Sequence, residues 1–374
     1  MKIAFFTEAY KPYPSGVTIS VDTFAQDLVK LGHEVRIYAP SYPEPYQEKT
    51  NPSTFRFASF PIGYPGFRLA IPWHPALAKD IRNFKPDIIH AHHPYVMGNL
   101  AKSWAKKLKV PLVYTFHTLF TQYMHYVPIM KGKWITDIAV ALIRNFCRQC
   151  GCIIVPTANA LDIMRTEYGV KTRAEVIPTG LDITKFTKSP PRTEPKFNKM
   201  IHVGRISNEK NIGFLLELMP KLPKEIKLMI VGAGPAENEL HAKMKQMGLT
   251  DRVDFIGYKP REELINYFVQ ADMFVAASKS ETQGLVFMEA KAGALPTVAI
   301  GAAGALDMVE DSGDGFLTTE DLDLFAEKVM TLYKDKALYQ KFSIRTLENL
   351  EKLSSIRQAE KLVGVYKSLM DAVV

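Results

Sequence analysis

Long apolar runs are missing from this sequence. A membrane-spanning helix needs about 18 nearly uninterrupted apolar residues, and the best candidate, Trp134 to Phe146, is broken by Asp137 and Arg144; the chain is not expected to span a membrane. The opening run Ile3-Ala-Phe-Phe6 meets Glu8 almost at once, too early for a signal-peptide core, and reads as a buried first strand. Cysteine is scarce. Cys147, Cys150 and Cys152 are the 3 in the chain, an odd number packed into one short stretch, which excludes a disulfide framework and suits a reducing cytosol. Free thiols are expected, since a metal reading of C-x-x-C-x-C has no fourth ligand nearby. No G-x-G-x-x-G follows the first strand, which disfavours a nicotinamide dehydrogenase. Internal repeats and low-complexity tracts are absent as well.

What is present is unevenly charged. The net charge of +8 over 374 residues conceals an N-terminal stretch, 1–185, with 22 Lys+Arg against 13 Asp+Glu and a remainder with 25 against 26. Within 48–149 there are 14 basic and 4 acidic side chains. Such a field attracts an anionic surface over about a Debye length, and membrane phosphate fits it better than nucleic acid. An ordinary solubilising surface is the alternative, though it usually mixes the signs more evenly.

The chain is too long for one hydrophobic core, so two domains of about 180 residues are the prior. Ile3–Phe6, EVRIYAP, DIIHAHH, LVYTFH, CIIVPT and EVIPTG alternate with helical patterns such as Thr18 to Leu31, the rhythm of a parallel sheet covered by helices. A polar stretch with adjacent prolines, 186–198, reads as a linker. The rhythm then restarts with MIHVGR, KLMIVG, VDFIG, MFVAAS and PTVAI, and becomes helical from Asp321 onward. The expected division is 1–190 and 191–374, with C-terminal helices packing back on the N-terminal domain. Doubly wound sheets bind ligands beyond the carboxyl ends of their strands, so the chemistry is expected in a cleft between the domains.

Several strand ends carry candidate chemistry. Glu281-Thr282-Gln283-Gly284-Leu285-Val286-Phe-Met-Glu289 follows one strand and opens a helix whose free N–H groups at Gly284, Leu285 and Val286 suit phosphate oxygens. Two glutamates eight apart could reach different parts of one extended ligand; alternatively they are helix-start and surface carboxylates. Arg205 and Lys210 follow the first strand of the second half and could clamp a diphosphate in place of a metal ion, or be solvated. Gly232-Ala-Gly234-Pro is a turn, weak as a dinucleotide fingerprint. In the first half, Gly16 would let a loop approach a ligand, or simply serve a turn. His90, His92, His93 and His117 end two strands, and His117 is the stronger candidate for contacting a sugar hydroxyl or holding an acceptor; metal or core roles stay open for His92 and His93.

Taken together, the Gly16 loop, Ile177-Pro-Thr-Gly-Leu-Asp182, Gly204-Arg205 with Lys210, Gly232-Ala-Gly234, Phe255-Ile-Gly257 and the Glu281/Glu289 pair resemble the family-4 retaining glycosyltransferases, over almost the whole chain. The resemblance implies an α/β GT-B fold, two doubly wound Rossmann-like domains facing across a cleft with a helical C-terminal tail. It implies that Arg205 and Lys210 bind the donor diphosphate, Glu289 the ribose, and Glu281 with the backbone of Thr282 to Val286 the sugar. Ile256 and Tyr258 would flank the base, Gly16 would complete the donor site, and His117 would lie by the sugar. His117, Glu281, Arg205 and Lys210 are thus the catalytic candidates. Such enzymes need no D-x-D metal motif; Asp321 and Asp323 form D-x-D only in the helical tail, and no cofactor or essential Mg²⁺ is expected.

Two departures from the family pattern, Ser15-Gly16 and Glu-Thr-Gln-Gly, stand beside a closer likeness to bacterial diacylglycerol glucosyltransferases, which the aromatic segment Thr118 to Val127 shares. Phe120, Tyr123, Tyr126, Met130 and Trp134 with Lys131, Lys133, Arg144 and Arg148 supply the ingredients of an interfacial element that meets a lipid acceptor and an anionic membrane surface; a core-facing helix with a solvated side is the alternative. The expectation is a cytoplasmic enzyme, peripheral on the inner face of the cell membrane, using a nucleotide-sugar donor, with UDP-glucose favoured by the resemblance, and with no nucleic-acid or protein partner. A soluble sugar or a cell-wall or polysaccharide intermediate is the alternative acceptor; a sugar-nucleotide epimerase, a phosphorylase or a non-catalytic sugar-nucleotide sensor are the alternatives of other classes.

Overall fold

Apolar runs of four or five residues are long enough to cross a sheet once, and the segments between them are long enough to return along its face; the parallel geometry follows from that alternation. The computed structural model describes residues 1–43, 47–48, 50–62, 67–117, 133–182, 190–192 and 198–372. Two units separate by their internal contacts, Met1–Gly180 with Ser355–Val374, and Leu181–Ser354. The division thus falls ten residues before the expected position 190, and the last helix belongs to the first unit.

In the first unit the strands are β1 (Lys2–Phe6), β2 (Glu34–Pro40), β3 (Ser53–Phe57), β4 (Ser59–Pro61), β5 (Arg68–Ala70), β6 (Ile88–Ala91), β7 (Leu112–Thr115), β8 (Cys152–Val155) and β9 (Ala174–Val176). Its helices are α1 (Gly16–Lys30), α2 (Leu77–Phe84), α3 (Val96–Leu108), α4 (Lys133–Cys147) and α5 (Ala158–Thr166). Among the described residues, seven strands form one sheet in the order β3-β2-β1-β6-β7-β8-β9, all parallel, while β4 and β5 make a separate antiparallel pair. The strand order turns at β1/β6.

The second unit has β10 (Lys199–Val203), α6 (Ile212–Leu218), β11 (Lys227–Val231), α7 (Glu237–Gln246), β12 (Val253–Gly257), α8 (Arg261–Gln270), β13 (Met273–Ala276), α9 (Leu285–Ala292), β14 (Thr297–Ile300), α10 (Gly304–Met308), β15 (Gly315–Thr318), α11 (Leu322–Lys334) and α12 (Lys336–Glu351). Its sheet runs β12-β11-β10-β13-β14-β15 and turns at β10/β13. Each sheet is buried on both faces, which is why its strands read as continuous apolar runs.

The chain's last helix, α13 (Ser355–Asp371), packs on α1 and closes one face of the first sheet with Ala359, Leu362, Val365 and Tyr366. Tyr366 also reaches the sheet interior, where its hydroxyl lies 2.6 Å from His90 Nδ1. Asp321, half of the D-x-D pair, caps α11 by accepting from the N–H groups of Asp323 and Leu324. Cys147 ends α4, Cys150 lies in the following turn and Cys152 opens β8; all three are free and buried, and burial pushes the Cys147 thiol up to about 12 and that of Cys152 to about 11.

Candidate functional site

In a doubly wound sheet, loops leaving adjacent strands at the point where strand order turns diverge onto opposite faces and leave a crevice. In the second unit that point lies between β10 and β13, paired through Met200↔Met273 and Ile201↔Phe274. The loop after β10 carries Gly204 and Arg205, then a single turn at Asn208–Lys210. The loop after β13 carries Glu281. Their side chains meet: the Lys210 ammonium pairs with Glu281 Oε1, both groups half-buried, 71 residues apart in sequence. Glu281 is further anchored through its carbonyl, which accepts from Gly304 N at 2.7 Å.

Beyond Glu281 the chain must turn sharply into α9. Gly284 does so in the left-handed region at φ 72°, where a Cβ would lie 2.6 Å from the Phe287 ring. That leaves the first-turn N–H groups after Gly284 at the crevice end of α9. One turn in, Glu289 is buried, and Arg261 Nε donates to its Oε1 at 2.8 Å. Burial raises the Glu289 carboxyl above the ordinary range while the Arg261 charge opposes the rise. Lys291, two residues past Glu289, instead pairs with buried Asp314 inside the unit and serves the fold.

The glycines after β11 have a structural reason. Gly232, at φ 149°, would place a Cβ 1.8 Å from the Gly204 carbonyl oxygen, and Gly234 one 2.2 Å from that of Ile206. Only glycine lets the two loops pack backbone to backbone. Ile256 is half-buried against the core and Tyr258 is 62% exposed at the end of β12. Thr282, Leu285 and Val286 are half-buried, Gln283 is buried, and Arg205 stands half-buried just beyond β10.

In the first unit the turn of strand order brings together the ends of β1, β6 and β7. His93 Nδ1 accepts from Glu8 N at 3.1 Å, and Glu8 Oε1 accepts from Met97 N at 3.0 Å at the start of α3. His92 Nδ1 and His117 Nε2 lie 3.0 Å apart. His90, stacked on His92 with ring centroids 4.4 Å apart, is held by the hydroxyls of Tyr366 and Thr115. Burial keeps all four histidines neutral, His90 down to about 3 and His93 to about 4. Among the described residues no group of His, Cys, Asp and Glu is arranged to hold a metal ion. Gly16 is the first residue of α1, capped by Ser15, and has neither a positive φ nor any atom within 4 Å of a built Cβ.

Of the proposed membrane-facing residues, Phe120, Tyr123, Tyr126, Met130 and Lys131 lie outside the described residues, and Lys133 and Trp134 open α4. Arg148 is exposed, whereas Arg144 is partly buried with Nε donating to the Tyr168 carbonyl at 2.6 Å. α4 also exposes two apolar side chains one turn apart, Ile138 and Leu142, the latter 66% exposed. Nothing in the sequence singles out Arg261, which looks like any first-turn arginine, or the His92–His117 contact. The spacing of Lys210 and Glu281 from their strand ends was the available signal for that pair.

Comparison with known proteins gives the family and the fold. The family model described as Glycosyltransferase Family 4 matches residues 14–185, and that described as Glycosyl transferases group 1 matches residues 184–348. The chain is 32% identical over 347 residues to an alpha-monoglucosyldiacylglycerol synthase of Streptococcus pneumoniae, covering 87% of this chain and 76% of that protein. It is 32% identical over 323 residues to the protein of the same name from Acholeplasma laidlawii, covering 80% of each. Among solved structures, Anabaena HepE in complex with UDP-glucose superposes with a TM-score of 0.74 at 20% identity, over 99% of this chain and 100% of that one.

Proposed function

The chain belongs to glycosyltransferase family 4 and is a hexosyltransferase with the GT-B fold, and from that premise we propose that it moves glucose from UDP-glucose to diacylglycerol or a similar membrane lipid with retention of configuration. The observation that carries the donor half is the Lys210–Glu281 pair at the β10/β13 turn of the sheet, beside the start of α9. It sets a cation and a carboxylate side by side where a diphospho-sugar places its own opposite needs. The diphosphate takes Lys210, Arg205 and the first N–H groups of α9; Glu281, released from Lys210, accepts from sugar hydroxyls; Glu289 accepts from the ribose. His117 and Gly16 are the first unit's candidates for contact with the donor.

In the reaction the bond between the anomeric carbon and the phosphate oxygen breaks, and the acceptor oxygen bonds to the same face of that carbon. The departing phosphate oxygen takes the acceptor's proton. Positive charge fixed at the leaving group stabilises the transition state more than the bound donor, which is the condition for acceleration. Because Arg205, Lys210 and α9 supply that charge, transfer proceeds without a metal ion, and activity survives EDTA.

The acceptor half is supported by the names of the two relatives and by the exposed Ile138 and Leu142 of α4 with exposed Arg148 just past its end. Among the described residues no helix is long and apolar enough to cross a membrane; the attachment in this reading is peripheral, at the cytoplasmic face. The test is incubation with UDP-glucose and anionic liposomes containing diacylglycerol, followed by mass spectrometry of the lipid. A hexosylated lipid that is lost with Glu281→Ala and reduced on neutralising Lys131, Lys133 and Arg148 supports the reading. Arg144 is left intact because its loss would act through the Tyr168 contact. Transfer to a soluble acceptor alone sinks the membrane half.

A further inference from the structure

We propose that His92 is a positioning residue that holds His117 with its ring proton on Nδ1, so that His117 meets the transferred hexose as a hydrogen-bond donor and not as a base. The inference rests on the placing of His117 beside the donor sugar. β6 and β7 are neighbours with Ala91 opposite Tyr114, so the residues leaving their ends, His92 and His117, fall side by side. His92 Nδ1 and His117 Nε2 are 3.0 Å apart with the rings 22° from parallel. One of these nitrogens carries the shared hydrogen and the other the lone pair.

The surroundings of His92 decide which. Its ring is 1% exposed, stacked on His90 and edge-on to Phe5 with centroids 4.7 Å apart. Its second nitrogen, Nε2, is buried without a hydrogen-bond partner among the described residues. If His117 donated, neutral His92 would have to carry its proton on Nε2, leaving a buried N–H with nothing to receive it. If His92 donates from Nδ1, only a lone pair is left unmet, and buried orphan donors are the rarer of the two in folded proteins. Burial excludes the third arrangement, a protonated His92.

The consequence passes along the pair. His117 Nε2 accepts, so its single proton sits on Nδ1, and a neutral imidazole offers at that atom an N–H and no lone pair. An oxygen of the hexose is the matching group. His93 is fixed in the opposite sense, since its Nδ1 accepts from Glu8 N and its proton is therefore on Nε2. The two histidines nearest His117 thus have tautomers set by different neighbours.

The experiment is long-range ¹H–¹⁵N correlation of ¹⁵N-histidine protein, with the His117 signals assigned by their loss in His117→Gln. Expected are an Nδ1–H form of His117 in the unaltered protein, its conversion to the Nε2–H form or a mixture in His92→Phe, and its retention in His92→Asn, whose amide N–H stands where Nδ1–H was. kcat/KM for transfer falls about tenfold in His92→Phe, the scale of one neutral hydrogen bond, and recovers in His92→Asn. An Nε2–H form in the unaltered protein, or an unchanged tautomer in His92→Phe, overturns the proposal. If His92→Phe does not fold, the spectra of the unaltered protein and of His92→Asn decide. Full transfer activity in His117→Gln removes His117 from the sugar site and overturns the role given to its donor, while the tautomer measurement still stands by itself.

Discussion

Opposite charges placed within reach of one another at the end of a sheet neutralise each other, and a ligand that carries both signs of need can replace both contacts at once. Lys210 and Glu281 are in that position. Replacing Lys210 by alanine removes a fixed cation from the departing diphosphate, and the loss in kcat is expected to be about 10²–10³-fold, with UDP inhibition weakened in the same assays. Glu8 offers a test that is independent of activity. Burial raises its carboxyl from 4.5 to about 7, against the opposing hydrogen bonds from Met97 and Val96. A folded-state value above the unfolded one means that the native protein holds the proton more tightly, so the contribution to stability is full below about pH 4.5 and is lost as pH rises through 7. Glu8→Gln keeps an oxygen for Met97 N and cannot ionise. It should therefore raise the melting temperature by several degrees at pH 8, a difference on the order of 3 kcal/mol, and lose most of that advantage by pH 5. A constant difference across that range in thermal denaturation would contradict the burial argument.

Elements show why some of this was legible and some was not. Strands buried on both faces announced themselves as apolar runs, and β1, β2, β6, β7, β8 and β10 to β14 lie where those runs stand. β3 did not, because Ser53-Thr-Phe-Arg-Phe57 lies at the sheet edge, is mostly half-buried and has no continuous apolar signal. The β4/β5 pair was invisible for the same reason. α1 begins at Gly16 and not at Thr18, since Ser15 caps it. Site residues at strand ends could be anticipated, whereas their pairings depend on which strands are neighbours: Lys210 reaches Glu281 only because β10 lies beside β13. The glycines separate by the same logic. Gly232→Ala combines a φ of 149° with a backbone collision at the Gly204 carbonyl and should cost about 2–4 kcal/mol, seen as a lower denaturation midpoint. Gly16→Ala meets open space and should leave that midpoint within about 0.5 kcal/mol of the original, yet raise KM for the donor if the proposed approach to Gly16 is correct. Equal effects at both positions in denaturation and kinetics would refute the distinction.

At the scale of the whole molecule, charge is divided along with the fold. The unit Met1–Gly180 with Ser355–Val374 holds 24 Lys+Arg against 14 Asp+Glu, and the other unit 23 against 25. An attraction built on that excess acts through water and is screened, its range shrinking from about 10 Å at 0.1 M salt to about 3 Å at 1 M. Insertion of apolar side chains is not screened. The two contributions should therefore separate in liposome co-sedimentation. With anionic vesicles, binding should fall steeply between 0.1 and 1 M NaCl and be weak on neutral vesicles at any salt. Leu142→Asp, at the most exposed large apolar position among the described side chains of α4, should weaken binding at low and high salt alike, because it removes the unscreened part and adds a charge that the lipid phosphates repel. UDP binding should be unchanged in that variant, since Arg205, Lys210 and Glu289, the residues assigned to the diphosphate and the ribose, lie in the other unit. Binding that resists salt but is abolished by Leu142→Asp would assign attachment to insertion alone and leave the excess of basic residues without a membrane role; salt-sensitive binding indifferent to Leu142→Asp would remove α4 from the contact and place it elsewhere on the basic unit.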